Sequence, residues 1–252
     1  MKNKLTLLGI VACIALVAFW QLSKKPKTIL DDTIIVGTEL NFPPFSFEEN
    51  GEATGFDIDL IKLVCKKLGK KIELKATTFD ALIPAAQIGS IQVIACGMTP
   101  APERAERLLF TKPYLTGDPL CILTLATHEP INNVDALRGK HVAVPEGFTA
   151  DFYMSKVESV ELTRLQTIAE CFLALTSGRV EALAAAQNTI TPFFAQKNKA
   201  DFAITTIPET SESCAMGVSK KHAELLPKIQ AVLDELEQDG TIKALKEKWK
   251  LN

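Results

Sequence analysis

From residue 32 to the C terminus, short apolar runs alternate with amphipathic segments, and this alternation restricts the possible folds more than any other feature. Residues 33–36 and 91–94 have the apolar, β-branched character of buried strands, whereas residues 57–68 place apolar side chains on one helical face. Such alternation predicts an α/β fold with mixed, mostly parallel sheets. It occurs in two series that meet near residue 119, which predicts two lobes with a cleft for a small ligand between them.

The same periodicity assigns further elements in both series. A hairpin is predicted around Asn50 and Gly51, a dipeptide that favours tight turns. The predicted helices cover residues 57–68, 80–88, 102–107, 168–175, 189–195, 225–236 and 242–249, with one more near residue 150. The predicted strands cover residues 33–36, 72–74, 91–94, 120–125, 141–144, 160–165, 180–184 and 214–218.

The first 27 residues differ from the rest of the chain. Lys2 and Lys4 precede an uncharged stretch over residues 5–20, and more lysines follow at positions 24, 25 and 27. A basic start, an apolar stretch and a polar exit predict an export signal, so we expect the protein in the periplasm or at the outer face of the cytoplasmic membrane. We expect the segment to be cleaved, retained as an anchor, or lipidated at Cys13. Residues 10–13 resemble a lipoprotein cleavage box, and the alternative is that Cys13 occurs there by chance.

The charge of the exported part argues against nucleic acid as a partner. Residues 1–27 contain five of the 28 lysines and arginines and none of the 30 acids, so the remainder has a formal charge of −7. A mildly acidic domain is poorly suited to binding a phosphate backbone.

Cysteines and histidines give no sign of a metal or other cofactor. The five cysteines after Cys13 lie mostly in apolar contexts without CxxC spacing, which predicts buried thiols, with one disulfide as the alternative. The three histidines lie far apart in the sequence, without the spacing of metal ligands. We therefore expect neither a metal site nor a cofactor.

The segment at residues 97–104 contains the clearest candidate binding motif. Gly97 allows a tight turn with N–H groups open to a ligand, Thr99 offers a hydroxyl and an N–H, and Arg104 offers a guanidinium fork. These donors together suit a small carboxylate. The alternative is an ordinary strand-loop-helix connection with a surface arginine in a salt bridge.

Several motifs in a fixed order carry a resemblance to a known family. They lie at residues 36–47, 55–60, 79–85, 97–104, 110–114, 139–144, 178–182 and 236–249. Together these segments resemble the extracellular (periplasmic) solute-binding proteins of polar amino-acid ABC transporters, known as family 3. The resemblance covers residue 32 to the C terminus and implies the two-lobed, type II periplasmic-binding-protein fold.

The resemblance also implies a domain organisation and a function without catalysis. Lobe 1 would comprise residues 32–118 and 214–252, and lobe 2 would comprise residues 119–213, with hinge crossings near residues 117–119 and 212–213. The lobes would close on a polar or basic amino acid and present it to a permease in the membrane. We expect a monomer that is not an enzyme.

By the same resemblance, the site is assigned residue by residue. Arg104, Thr99 and a backbone N–H near Thr149 would hold the ligand's α-carboxylate, while Gly97 would offer a carbonyl to its α-ammonium. Phe42 and Phe79 would sandwich the ligand's side chain, although ordinary core packing is the alternative for both rings. Glu39 lies where the family often places a residue that contacts the ligand's side chain, and a solvated loop acid is the alternative there.

One position departs from the family pattern. The family usually has an aspartate after the strand at residues 180–184 as partner for the α-ammonium, and this chain has Ala186 there. Because a buried ammonium without a counter-charge is costly, either Gln187 and backbone carbonyls hold it, Glu39 substitutes, or the ligand has no free α-amine.

Two other function classes are compatible with the same two lobes. A cyclohexadienyl or arogenate dehydratase would need a general acid, a role open to Glu39 or Glu146. A sensor or wall-associated module would need a kinase, a transglycosylase or a long helical extension, and we expect none of these for this chain.

Overall fold

The computed structural model describes residues 32–195 and 197–251, so the predicted export segment with Cys13 lies outside the described residues. The strands are β1 (Thr33–Thr38), β2 (Asn41–Phe42), β3 (Ser46–Glu49), β4 (Glu52–Thr54), β5 (Lys71–Ala76), β6 (Val93–Ile94), β7 (Leu108–Phe110), β8 (Leu115–Asp118), β9 (Leu120–Leu125), β10 (His141–Pro145), β11 (Glu161–Leu165), β12 (Ala182–Ala186), β13 (Phe202–Thr206), β14 (Glu212–Cys214) and β15 (Gly217–Ser219). The α-helices are α1 (Phe56–Lys67), α2 (Phe79–Ile88), α3 (Pro102–Ala105), α4 (Thr149–Met154), α5 (Ile168–Thr176), α6 (Gln187–Ile190), α7 (Leu225–Gln238) and α8 (Thr241–Trp249).

Two five-stranded sheets organise these elements. In the first, sheet I, the order is β5-β1-β6-β15-β7, with β1 parallel to β6 and β15 antiparallel to both of its neighbours. In the second, sheet II, the order is β11-β10-β12-β9-β13, with β10 parallel to β11 and β12, and β9 antiparallel to β12 and β13. Both sheets are therefore mixed, and β15 joins sheet I although it follows all the strands of sheet II in the chain.

Two short strands link the sheets. The chain passes from sheet I towards sheet II through β8 and returns through β14, and these strands form an antiparallel pair in which Glu212 lies opposite Asp118. The pairing brings two distant parts of the sequence side by side where the chain crosses between the sheets.

Helices cover the sheets and close their hydrophobic cores. Helix α2 packs on sheet I, α4 and α5 pack on sheet II, and α1 packs against both C-terminal helices. Buried residues of sheets I and II belong to one apolar cluster, and smaller clusters lie beneath α2 and α4. Within the described residues, no helix is both long enough and apolar enough to span a bilayer.

Local signals in the sequence account for several boundaries. The predicted hairpin is confirmed by the β3–β4 pair, whose turn places Asn50 and Gly51 at φ of 54° and 80°. Helix α2 ends at Gly89, which adopts the left-handed conformation with φ of 82°. The five cysteines of the described region are free and buried, as the apolar contexts predicted.

Other predictions were wrong in detail. The strand expected over residues 214–218 is divided between β14 and β15, which belong to different sheets. The helix expected over residues 189–195 is the short α6 followed by a 3-10 turn at Thr191–Ala195. Strands β7, β8 and β13 were not predicted, because long-range pairing decides the conformation of such short segments.

Candidate functional site

A cavity of about 30 Å³ lies between segments that follow strands of both sheets. The loop after β6 contributes Gly97 and Thr99, and β12 contributes its last residue, Ala186. Ligands of open α/β sheets bind outside the carboxyl ends of the strands, so this is the expected place for a small-molecule site. The cavity is lined by Phe42, Phe45, Phe79, Gly97, Thr99, Arg104, Asp118, Pro145, Phe148, Thr149, Ala150, Ala185, Ala186, Thr189, Glu212 and Cys214.

Arg104 is a buried cation that links the loop after β6 to the turn after β10. Only 4% of the residue is exposed, and burial lowers the pKa of its guanidinium from the ordinary value. Its Nη1 donates to the carbonyl oxygen of Thr99 at 2.9 Å, and its Nη2 donates to that of Gly147, beyond β10, also at 2.9 Å. The guanidinium also lies over the ring of Phe79 at 5.0 Å. The surface salt bridge considered above is therefore wrong for Arg104.

The loop that carries Gly97 is fixed from behind by a buried carboxylate. Gly97 has φ of 65°, and a Cβ at this position would lie 2.8 Å from ring carbons of both Phe42 and Phe45. Its N–H donates to Asp57, whose other oxygen accepts from the hydroxyl of Tyr114 at 2.8 Å. The expectation that the Gly97 N–H is open to a ligand is therefore wrong. Burial raises the pKa of Asp57 to about 6, and the two hydrogen bonds oppose that increase.

The side-chain carboxylate of Glu212 accepts hydrogen bonds from both threonines at which donors to the ligand's α-carboxylate were predicted. The Thr99 hydroxyl donates to Oε2 of Glu212 at 2.7 Å, and the Thr149 hydroxyl donates to the same oxygen at 2.5 Å. Thr149 thus participates through its side chain, whereas the resemblance implied a backbone N–H. Glu212 belongs to β14 and was predicted only as part of a chain crossing, without a role in the site.

A second acid that sequence reasoning missed lies next to Glu212. Asp118 is 5% exposed, and its Oδ1 accepts from the backbone N–H of Asn188 at 3.0 Å. Burial raises the pKa of Asp118 to about 6; the Asn188 hydrogen bond opposes this, and the nearby charge of Glu212 reinforces it. Its position was also predicted as a crossing. The sequence contained one indication of these two site residues, because each of the two predicted crossings includes an acid.

Phe148 lies against both rings that were predicted to sandwich a ligand. The ring centroid of Phe148 is 4.3 Å from that of Phe79, with a 35° angle between the planes. It is 5.1 Å from that of Phe42 in an edge-on arrangement. Phe42 and Phe79 do line the cavity, and Phe148 from the turn after β10 fills space between them.

Glu39 and Gln187 do not line this cavity. Glu39 is 4% exposed, so a solvated loop acid is wrong for it, and its Oε2 is buried without a hydrogen-bond partner among the described residues. Burial, with a smaller contribution from Asp80, raises the pKa of Glu39 to about 7. Gln187 lines a separate cavity beside Phe194 and Phe202, and its N–H donates to the Pro119 carbonyl at 2.9 Å.

Glu146, the other candidate general acid, also lies outside the cavity. Its side chain is exposed and accepts from Nε2 of Gln166 at 2.9 Å. Among the described residues, no group of three or more His, Cys, Asp or Glu side chains is arranged to hold a metal ion.

Comparison with known proteins identifies relatives over nearly the whole chain. The chain is 30% identical over 232 residues to a probable histidine-binding protein of Campylobacter jejuni, covering 91% of this chain and 88% of the relative. An ancestral arginine-binding protein bound to arginine is similar in structure, with a TM-score of 0.81, 37% identity and coverage of 86% of this chain and 98% of that one. An ancestral amino acid-binding protein described as a precursor of cyclohexadienyl dehydratase has a TM-score of 0.79 and 32% identity, covering 88% and 96% of the two chains.

These likenesses extend across both sheets, and they confirm the two-lobed α/β fold predicted from the sequence. The sequence profile of the bacterial extracellular solute-binding proteins, family 3, matches residues 34–252. The chain therefore belongs to the bacterial extracellular solute-binding proteins of family 3.

Proposed function

We propose that this chain is the receptor of an ABC importer for an amino acid, preferably one with a basic side chain. The observation that carries the proposal is the arrangement around Glu212, because two threonine hydroxyls already converge on a carboxylate oxygen beside the buried Arg104. A ligand's α-carboxylate would take the place of the Glu212 carboxylate on these donors. Neutral hydroxyls and an arginine together are a strong combination for a carboxylate.

Glu39 supports a basic side chain on the ligand. Its buried, unpartnered Oε2 is costly to the folded protein when ionised and would be stabilised by a cation. In this proposal the ligand's side chain passes between Phe42 and Phe79 towards Glu39 once Phe148 has moved. The histidine- and arginine-binding names of relatives agree with a basic ligand.

The proposed action is closure of two lobes about the crossing strands. Lobe 1 would consist of residues 32–118 and 214–252, lobe 2 of residues 119–213, and β8 and β14 would form the hinge. Arg104 would then bridge the lobes through the carbonyls of Thr99 and Gly147. In the periplasm the closed monomer would deliver its ligand to a membrane permease.

A thermal-shift screen of the full-length protein against the twenty amino acids tests this proposal. We expect a higher melting temperature with one or a few of them, arginine or histidine foremost, because a ligand that binds only the folded state stabilises it. A flat profile across all twenty would contradict amino-acid transport. Incubation with prephenate and arogenate, followed by detection of an aromatic product, tests the dehydratase alternative, and turnover would overturn the receptor proposal.

A further inference from the structure

The proposed function requires a counter-charge that the sequence does not supply at its usual place. An α-amino acid brings an ammonium as well as a carboxylate, and burying the ammonium without a negative partner is costly. Ala186 lines the cavity with only a methyl group, and Gln187 faces a different cavity. A negatively charged partner for the ammonium therefore has to come from another element.

The crossing strands β8 and β14 place two acids at the cavity. Asp118 and Glu212 are the acidic side chains among the described residues that line the cavity, and they lie opposite each other in the β8–β14 pair. Asp118 also touches the segment in which the acid is missing, because its Oδ1 accepts from the N–H of Asn188, two residues beyond Ala186. A carboxylate from β8 thus approaches the end of β12.

We propose that Glu212 and Asp118 together hold the ligand's α-ammonium in place of the acid absent at Ala186. This inference rests on the proposed amino-acid function and specifies how its site binds the amine.

Binding would proceed as an exchange of hydrogen bonds. In the structure, Oε2 of Glu212 accepts from the hydroxyls of Thr99 and Thr149. The incoming carboxylate takes these two donors, and Glu212 is released from them. Because the ammonium is attached to the carbon that bears the carboxylate, it arrives within reach of the released Glu212 and of Asp118. The ligand's carboxylate then accepts from the two hydroxyls beside Arg104, and its ammonium is paired with Glu212 and Asp118.

The test compares each amino acid with its analogue that lacks the α-amine. Affinities of the full-length chain in mild detergent are measured by calorimetry for arginine and des-amino-arginine, and for histidine and imidazole propionate. Wild-type protein is expected to prefer the amino acid by at least about tenfold, as a charge-assisted contact allows. Glu212→Gln should weaken amino-acid binding by about tenfold or more and leave the affinity for the analogue within about threefold. Asp118→Asn should have the same selective effect.

Glu146→Gln is the matched control, because it neutralises an exposed acid outside the cavity and should leave both affinities unchanged. Thermal melts of each variant confirm folding, and each of the two variants tests the proposal by itself. The proposal is overturned if the preference for the amine survives in either variant, or if either variant loses affinity for the two ligands equally. Failure of wild-type protein to bind any amino acid is a separate outcome, which overturns the proposed function and this assignment with it.

Discussion

The two sides of the cavity are built in opposite ways. On one side, Gly97, Thr99 and Arg104 belong to one continuous loop and short helix after β6, so their spacing alone brings the donors together. On the other side, Asp118 and Glu212 are far apart in the sequence and meet only because β8 pairs with β14. The first side would supply donors for the ligand's carboxylate, and the second would supply acceptors for its ammonium. In the proposed site, a motif that is local in the sequence is thus combined with one that only tertiary pairing assembles.

Arg104→Ala should break the local side most severely. The variant removes a buried cation and two hydrogen bonds to carbonyls in different parts of the chain. We expect amino-acid affinity to fall on the order of 100-fold, measured by calorimetry, since contacts to charged groups are the strong ones. Arg107→Ala is the control, because Arg107 is exposed and its guanidinium donates to Gln87 at 3.1 and 2.7 Å, outside the cavity. Equal affinities for Arg104→Ala and wild-type protein would remove the carboxylate assignment.

Gly97→Ala should damage the same loop through its backbone. Gly97 adopts a positive φ, and an added Cβ would lie 2.8 Å from ring carbons of Phe42 and Phe45. We expect the free energy of unfolding to fall by about 2 to 3 kcal/mol in denaturant titrations. Gly139→Ala separates strain from clash, because Gly139 has φ of 74° but open space around its Cβ position. Similar losses of unfolding free energy in both variants would show that the rings of Phe42 and Phe45 move aside at little energetic cost.

Phe148→Ala tests a residue that belongs to neither side but fills the space between the predicted sandwich rings. Its ring packs on Phe79 and Phe42, and the residue is only half-buried. We expect a loss of about 1 to 2 kcal/mol in unfolding free energy, below that of a fully buried phenylalanine. Ligand affinity should be unchanged or higher, because the ligand no longer has to displace the ring.

Phe47→Ala is the control for that variant, because its ring packs on Trp249 and does not line the cavity. It should lower stability without changing ligand affinity. Weaker ligand binding in Phe148→Ala alone would mean that Phe148 is itself part of the ligand's contact surface.

The contrast between local and tertiary features also explains what the sequence could predict. The loop at residues 97–104 was predicted because its chemistry is contiguous, and the β3–β4 hairpin because Asn50 and Gly51 specify their own turn. The predicted strand at residues 214–218 was wrong because its two halves pair with different strands, β14 with β8 and β15 with β6 and β7, which is a long-range choice.

Crossings were predicted near residues 117–119 and 212–213, but no role in the site was predicted for Asp118 or Glu212. Whether a side chain at a crossing faces the cavity depends on the pleat of a two-stranded pair, which spacing along one chain does not specify. The position of Phe148 depends likewise on packing against rings from distant segments.

The smallest effects expected from single substitutions concern the pH dependence of stability, to which each side of the cavity contributes one buried acid. Burial raises the pKa of both Asp57, behind the loop, and Asp118, on the crossing, to about 6 from 3.8. Between about pH 4 and 6 the folded state therefore holds protons that the unfolded state has released, so stability falls as the pH rises through this window. Glu39, with its pKa raised to about 7, acts in the same direction. Without added ligand, the protein should be more stable to denaturant at pH 5 than at pH 7.5.

Asp57→Asn and Asp118→Asn should each remove about 1 kcal/mol of that difference between the two pH values, because one pKa unit corresponds to about 1.4 kcal/mol. The two variants should differ in absolute stability. Asp57 accepts hydrogen bonds from both Gly97 and Tyr114, and an amide at position 57 would retain only one acceptor oxygen for these two donors. An amide at position 118 would retain an acceptor for the Asn188 N–H, and it would no longer repel the carboxylate of Glu212. Asp57→Asn should therefore destabilise the protein at both pH values, and Asp118→Asn should be nearly neutral at pH 7.5. The opposite ranking would mean that the crossing, and not the loop, depends on its ionised carboxylate for folding.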